Sequence, residues 1–147
     1  MNFRHSLQRF FAVDAARKRL VLEALVILTW ARVVVWIVPF RQVAKMLSSS
    51  KASEPIGSPA EANNIGWAIR VVSNRVPGFH CLVQGLAATR MLHRRGLPAS
   101  THFGVRKDPE TAAIGAHAWV ICDGEVITGE RNRSNFEPIA TFGDKSK

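Results

Sequence analysis

Apolar residues recur with one rhythm over the first two-thirds of this chain and another over the last third. From Leu20 to Val38 almost every position is apolar, interrupted by Glu23, Thr29 and Arg32. Asp14 is placed to cap a helix over this run and Pro39 to end it. The run approaches the ~20 residues that cross a bilayer, but each internal charge costs roughly 2.5–3.5 kcal/mol near a membrane centre. A helix this apolar all round needs a cover, so burial against the rest of the protein or a partner is expected. Attachment to a membrane is the less favoured alternative.

A short basic helix is expected over Arg41 to Leu47, and Ser48 to Pro59, rich in Ser, Lys, Pro and Gly, reads as a solvated linker. This divides the chain into an N-terminal helical segment (1–47), a linker (48–59) and a main domain (60–147). Residues 1–13 are basic and partly aromatic, fitting a frayed arm or a short amphipathic helix, and no small-residue cleavage site follows the apolar run as a signal peptide requires. A helix from Pro59 or Ala60 carries Ile65, Trp67, Ala68, Ile69, Val71 and Val72, and Asn74 to Gly78 breaks it. The next helix spans about His80 to Arg95, with Leu82, Leu86, Thr89 and Leu92 as its core stripe and Gly96 as its stop.

After Gly96 the period becomes two. Strands are expected over Ala99–Val105, Gly115–Cys122, Glu125–Gly129 and Pro138–Phe142, with polar loops over 106–114 and 130–135. Asp123-Gly124 is a strong hairpin signal. Helices followed by an antiparallel sheet make an α+β fold.

The 147 residues are 47% hydrophobic, enough for a core, and the net charge of +9 favours acidic partners such as peptide or phospholipid. That charge is read as general surface character, not as a nucleic-acid footprint. Cys81 and Cys122 are the only cysteines. Two thiols without a CxxC or clustered histidines exclude a disulfide scaffold and argue against structural zinc; both read as reduced, in a cytosol.

Candidate chemistry centres on Cys81, at the mouth of the helix that follows Pro77-Gly78. A thiol placed there meets free N–H groups and the positive end of the helix dipole, which favour a thiolate and cradle an oxyanion. Apolar helices also bury inert cysteines, and Cys122, without such a placement, is read as one of these. His117, opening a strand between two alanines, is the candidate general base and acid. Among the other histidines, His80 neighbours Cys81 in sequence but points elsewhere, His93 lies at a basic helix end, His102 is in a strand and His5 is in the arm.

The order of these motifs resembles the transglutaminase-like cysteine proteases of lasso-peptide biosynthesis. The resemblance rests on Cys81-Leu-Val-Gln-Gly-Leu-Ala-Ala88, Arg94-Arg-Gly-Leu-Pro-Ala99, Gly104-Val105 and Ala116-His-Ala-Trp-Val120 with Asp123-Gly124. It also includes the run from Arg19 to Ala24 and Pro39-Phe40-Arg41, and covers roughly Arg17 to Phe142. It implies a papain- or transglutaminase-like core in which a Cys-bearing helix packs on a small antiparallel sheet. It implies a leader peptidase for a lasso-peptide precursor that needs no cofactor and no metal. A separate leader-recognition protein and an ATP-dependent cyclase are the implied partners.

Relatives carry an aspartate on the strand after the histidine, where this chain has Thr128-Gly129. Counting back from a two-residue Asp123-Gly124 turn pairs Cys122 with Glu125 and His117 with Glu130, which makes Glu130 the expected orienting acid. Asp123 is its rival, about six residues or ~20 Å of strand away at the hairpin tip. Two other function classes compete: an acyl transferase using the same thiol, and a basic membrane- or nucleic-acid-binding module with a vestigial site.

Overall fold

The computed structural model describes residues 14–48 and 57–144. The arm (1–13) and most of the expected linker (49–56) lie outside these residues. Four helices, α1 (Ala15–Ile37), α2 (Phe40–Ser48), α3 (Pro59–Ser73) and α4 (Cys81–His93), precede four strands. These are β1 (Ser100–Lys107), β2 (Ile114–Cys122), β3 (Glu125–Thr128) and β4 (Glu137–Gly143), with a short 3-10 turn at Arg133–Asn135. They form one antiparallel sheet in the order β3-β2-β1-β4. The fold is α+β, as the change of period predicts.

Local chemistry sets the helix boundaries. Val38 is extended because a residue before proline is pushed out of the helical region. Ser58 and Glu61 form a reciprocal capping box, with Pro59 in the first turn of α3 where its missing N–H costs nothing. Asp123 and Gly124 both take positive φ, the conformation a two-residue turn between twisted strands demands.

The sheet lays one face on the helices. Val120 and Cys122 join Ile65, Ile69, Leu86, Met91 and Leu92 in a core that continues to Ala24, Leu28 and Ala31 of α1. In α4 burial exceeds the single stripe that the sequence suggests. Val83, Ala87, Ala88 and Met91 are buried as well as Leu86 and Leu92, while Leu82 is only partly covered. The reason is layering: α4 contacts α1 and α3 on one side and the sheet on the other. Gly85 is buried beside Val120 and Thr101 of the sheet, and the Thr89 and Thr101 hydroxyls pair at 3.0 Å within that contact.

Both charges that interrupt the apolar run of α1 are used inside the fold. Arg95 grips Glu23 through two hydrogen bonds of 3.0 and 2.8 Å, pinning α1 to the end of α4. Arg32 donates to the carbonyl of Pro77 at 3.1 Å, in the turn that leads into α4. Its guanidinium fills the space where a Cβ on Gly78, at φ +93°, would stand. With Ala24, Ile27, Leu28 and Ala31 buried, α1 is a structural helix of this domain. It is also long and apolar enough to cross a membrane by length and composition.

The hydrogen bond from Arg95, then its charge, hold the Glu23 carboxyl below the ordinary carboxylate range against the opposing effect of burial. A lowered folded value means that the stabilisation is complete above the unfolded pKa and disappears as pH falls through the folded one. Glu23→Gln should therefore cost about 1–2 kcal/mol near neutral pH. In urea titrations of both proteins this difference should shrink below about pH 4; a pH-independent difference would show that lost packing, not charge, is responsible.

Candidate active site

Cys81 is the first residue of α4, and His80 before it offers no side-chain hydrogen bond to the helix. The first-turn N–H groups are thus left without a side-chain cap. The approach to this turn is fixed by Arg32 on Pro77 and by Gln84, whose Nε2 donates to the Phe79 carbonyl at 2.7 Å. Cys81 is half-buried.

His117 reaches the same place from a different layer. Register with β1 puts it opposite Gly104, and Trp119 opposite His102. Alternation places these side chains on the face of β2 away from Val120 and the helices. β3 ends at Thr128, opposite Val120, so β2 has no strand beside His117 on that edge. A cavity of about 900 Å³ opens there. Its walls include Cys81 and Gln84 of α4, His117, Arg70 of α3 with Asn74 just beyond it, and the stretch from Glu125 to Arg131 with Arg133.

The imidazole is held tightly. Nε2 lies 2.8 Å from the Gly129 carbonyl, and because a carbonyl only accepts, Nε2 carries the proton. In the neutral ring this leaves Nδ1 with the lone pair. The Phe136 ring packs at 5.0 Å and the buried Trp119 indole at 6.0 Å.

Gly129 is the site residue that sequence reasoning missed. Its φ is +79°, and a Cβ there would strike the Ala118 carbonyl oxygen and come within 2.7 Å of Trp119 Cβ. Only glycine lets the chain leave β3 so close to β2 that its carbonyl meets His117. The available signal was the glycine immediately after the strand, at the position where an acid was sought.

The expected pairing of His117 with Glu130 does not form. Cys122 does pair with Glu125, but an irregularity beyond Ile121 moves the register so that Val120 faces Thr128, and β3 then stops. Glu130 lines the cavity with its side chain 71% exposed, and its Oε2 is 4.0 Å from Arg133 Nε. Asp123 stands in the hairpin turn and is absent from the cavity walls.

The remaining histidines are placed elsewhere. His80 caps α4 by its backbone, and His5 is outside the described residues. His102 stacks on Trp119 at 5.7 Å, with Ser100 and Thr141 hydroxyls on its two nitrogens; burial, then Arg133, pushes its pKa down. His93, near Asp144 at the end of α4, is likewise pushed down, chiefly by burial. Among the described residues no group of three or more His, Cys, Asp or Glu side chains is arranged to hold a metal ion.

Cys122 is buried, and that burial, with Asp123 and Glu125 nearby, raises its thiol to about 11. The thiolate is the reactive form, so the two cysteines should differ sharply. Iodoacetamide near pH 7.5 should alkylate Cys81 at least about 100-fold faster than Cys122 in the native protein, as followed by peptide mass mapping. Equal labelling of the two would contradict this arrangement.

No curated protein and no solved structure gives a significant match to the chain. The family model described as the transglutaminase-like superfamily matches residues 24–141, from within α1 to β4. That span contains the cysteine helix, the histidine strand and the helix that supports them, and the chain belongs to the transglutaminase-like superfamily.

Proposed function

We propose that this protein is a cysteine peptidase that removes the leader from a lasso-peptide precursor, acting with a separate leader-recognition protein and an ATP-dependent macrolactam cyclase. A thiol-dependent peptidase or acyltransferase fits the superfamily in general. The finer reading is supported by the ordered resemblance of the Cys81, Arg94-to-Ala99 and His117 motifs. The observation that supports it is that Cys81 and His117 both line one cavity, with the imidazole proton on Nε2.

In this reading the Cys81 Sγ, as thiolate, attacks the scissile carbonyl carbon, and the oxygen takes up the negative charge. The Cys81 main-chain N–H, at the uncapped start of α4, donates to that oxyanion. His117 as imidazolium gives its Nδ1 proton to the departing amine nitrogen, the C–N bond breaks, and a thioester remains. The neutral imidazole then takes a proton from water as it attacks the thioester, releasing the leader carboxylate and the free thiol. Gly129 serves as the positioning residue for the ring. Glu130 contributes negative charge near the imidazolium from the cavity rim instead of a direct hydrogen bond.

The test is cleavage of the precursor peptide in the presence of the recognition protein, followed by mass spectrometry. Wild type should yield leader with a free carboxylate and core with a free amine, whereas Cys81→Ala should be inactive. A ligated product would instead assign an acyl transferase, and cleavage by Cys81→Ala would remove the proposal.

The same assay separates the supporting residues. His117→Ala should lose about 10³-fold or more in kcat, and Glu130→Gln less than about tenfold. A loss for Glu130→Gln matching that of His117→Ala would reinstate Glu130 as the direct partner of the ring.

A further inference from the structure

Leu22, Leu25, Val26, Val33, Trp36 and Ile37 remain exposed along α1. At 100° per residue they fall within one side of the helix, opposite Ala24, Ile27, Leu28 and Ala31 in the core. Val26 is 68% and Trp36 86% exposed. Thr29, within this strip, turns its hydroxyl back onto the Leu25 carbonyl at 2.8 Å. From Leu22 to Ile37 the strip is about 22 Å long. A continuous apolar strip of this kind marks an interaction surface.

Charge identifies the occupant. Glu23 is the only acid between Ala15 and Ser48, and it is engaged by Arg95. Arg19 precedes the strip, while Arg41 and Lys45 follow it on the next helix, all exposed. A second copy laid antiparallel would set Arg19 against Arg41 and Lys45; laid parallel, it would set each base against itself. Like charges oppose both arrangements. Spanning a bilayer would strip Ala24, Ile27, Leu28 and Ala31 from the core and break the Glu23–Arg95 pair. An anionic lipid surface suits both features: the apolar strip enters the headgroup–acyl boundary, the indole sits at the interface and the bases face phosphates.

We propose that α1 is a membrane-docking helix that lies in the plane of an anionic phospholipid surface while its inner face remains part of the protein core. This surface is independent of the reaction at Cys81. It would hold the enzyme at a membrane without a spanning segment.

The full chain should co-sediment with phosphatidylcholine vesicles containing about one-third phosphatidylglycerol, but not with phosphatidylcholine alone, and added salt should release it. The exposed double substitution Val26→Ser/Trp36→Ser should weaken binding at least about tenfold, and Arg41→Glu/Lys45→Glu should reduce it to the level of neutral vesicles. Thermal unfolding without vesicles checks that both variants are folded. Independently of them, acyl-brominated lipid should quench wild-type tryptophan fluorescence more than that of Trp36→Phe. Failure of the wild type to bind anionic vesicles, equal binding by folded variants, or equal quenching in Trp36→Phe would overturn the proposal. A vesicle-free dimer that Val26→Ser/Trp36→Ser dissolves would assign the strip to a second copy and overturn it as well.

Discussion

The burial of α4 between the helical layer and the sheet is the constraint on which the site depends. Its sides are packed against α1, α3 and the sheet, leaving little freedom to slide or rotate. The first residue of this fixed rod is Cys81, and it comes to the edge where β3 has ended and β2 continues with β1 alone beside it. A longer β3 would pair the edge beside His117 and close that space. The brevity of one strand therefore has as much to do with the cavity as the identity of the residues lining it.

Support extends outward from that rod in a physically continuous way. Glu23 and Arg95 join α1 to the far end of α4, while Arg32 and the Pro77 carbonyl join α1 to its approach. These contacts explain why an apolar helix retains two charges in its middle: each makes a defined bond to a segment flanking the helix that carries the thiol. On the other side of the sheet, His102 and Trp119 stack, and Trp119 packs in turn beside His117. The thiol and imidazole are thus supported from opposite layers.

Periodicity revealed the order of helices and strands, and the Asp123-Gly124 turn revealed the hairpin, because both are local. The Cys122–Glu125 pairing was readable for the same reason. Extrapolation to Glu130 failed once the strands departed from regular pairing, since each irregularity displaces all later partners. Gly129 was invisible as a positioning residue because its role belongs to a main-chain carbonyl, which any residue possesses. What makes it special is the close approach of backbone to Ala118 and Trp119, a property of the tertiary structure. The all-round burial of α4 was hidden similarly: Gly85, Ala87 and Ala88 are buried yet give little hydrophobic signal.

The central proposal is that the imidazole of His117 acts on the thiol of Cys81 across the cavity they both line, and this can be measured without knowing the substrate. The most direct measurement is the second-order rate of Cys81 alkylation by iodoacetamide at neutral pH in wild type and in folded His117→Ala. Coupling predicts a rate at least about fivefold lower in the variant. Equal rates would mean that the two groups share a cavity without acting on one another.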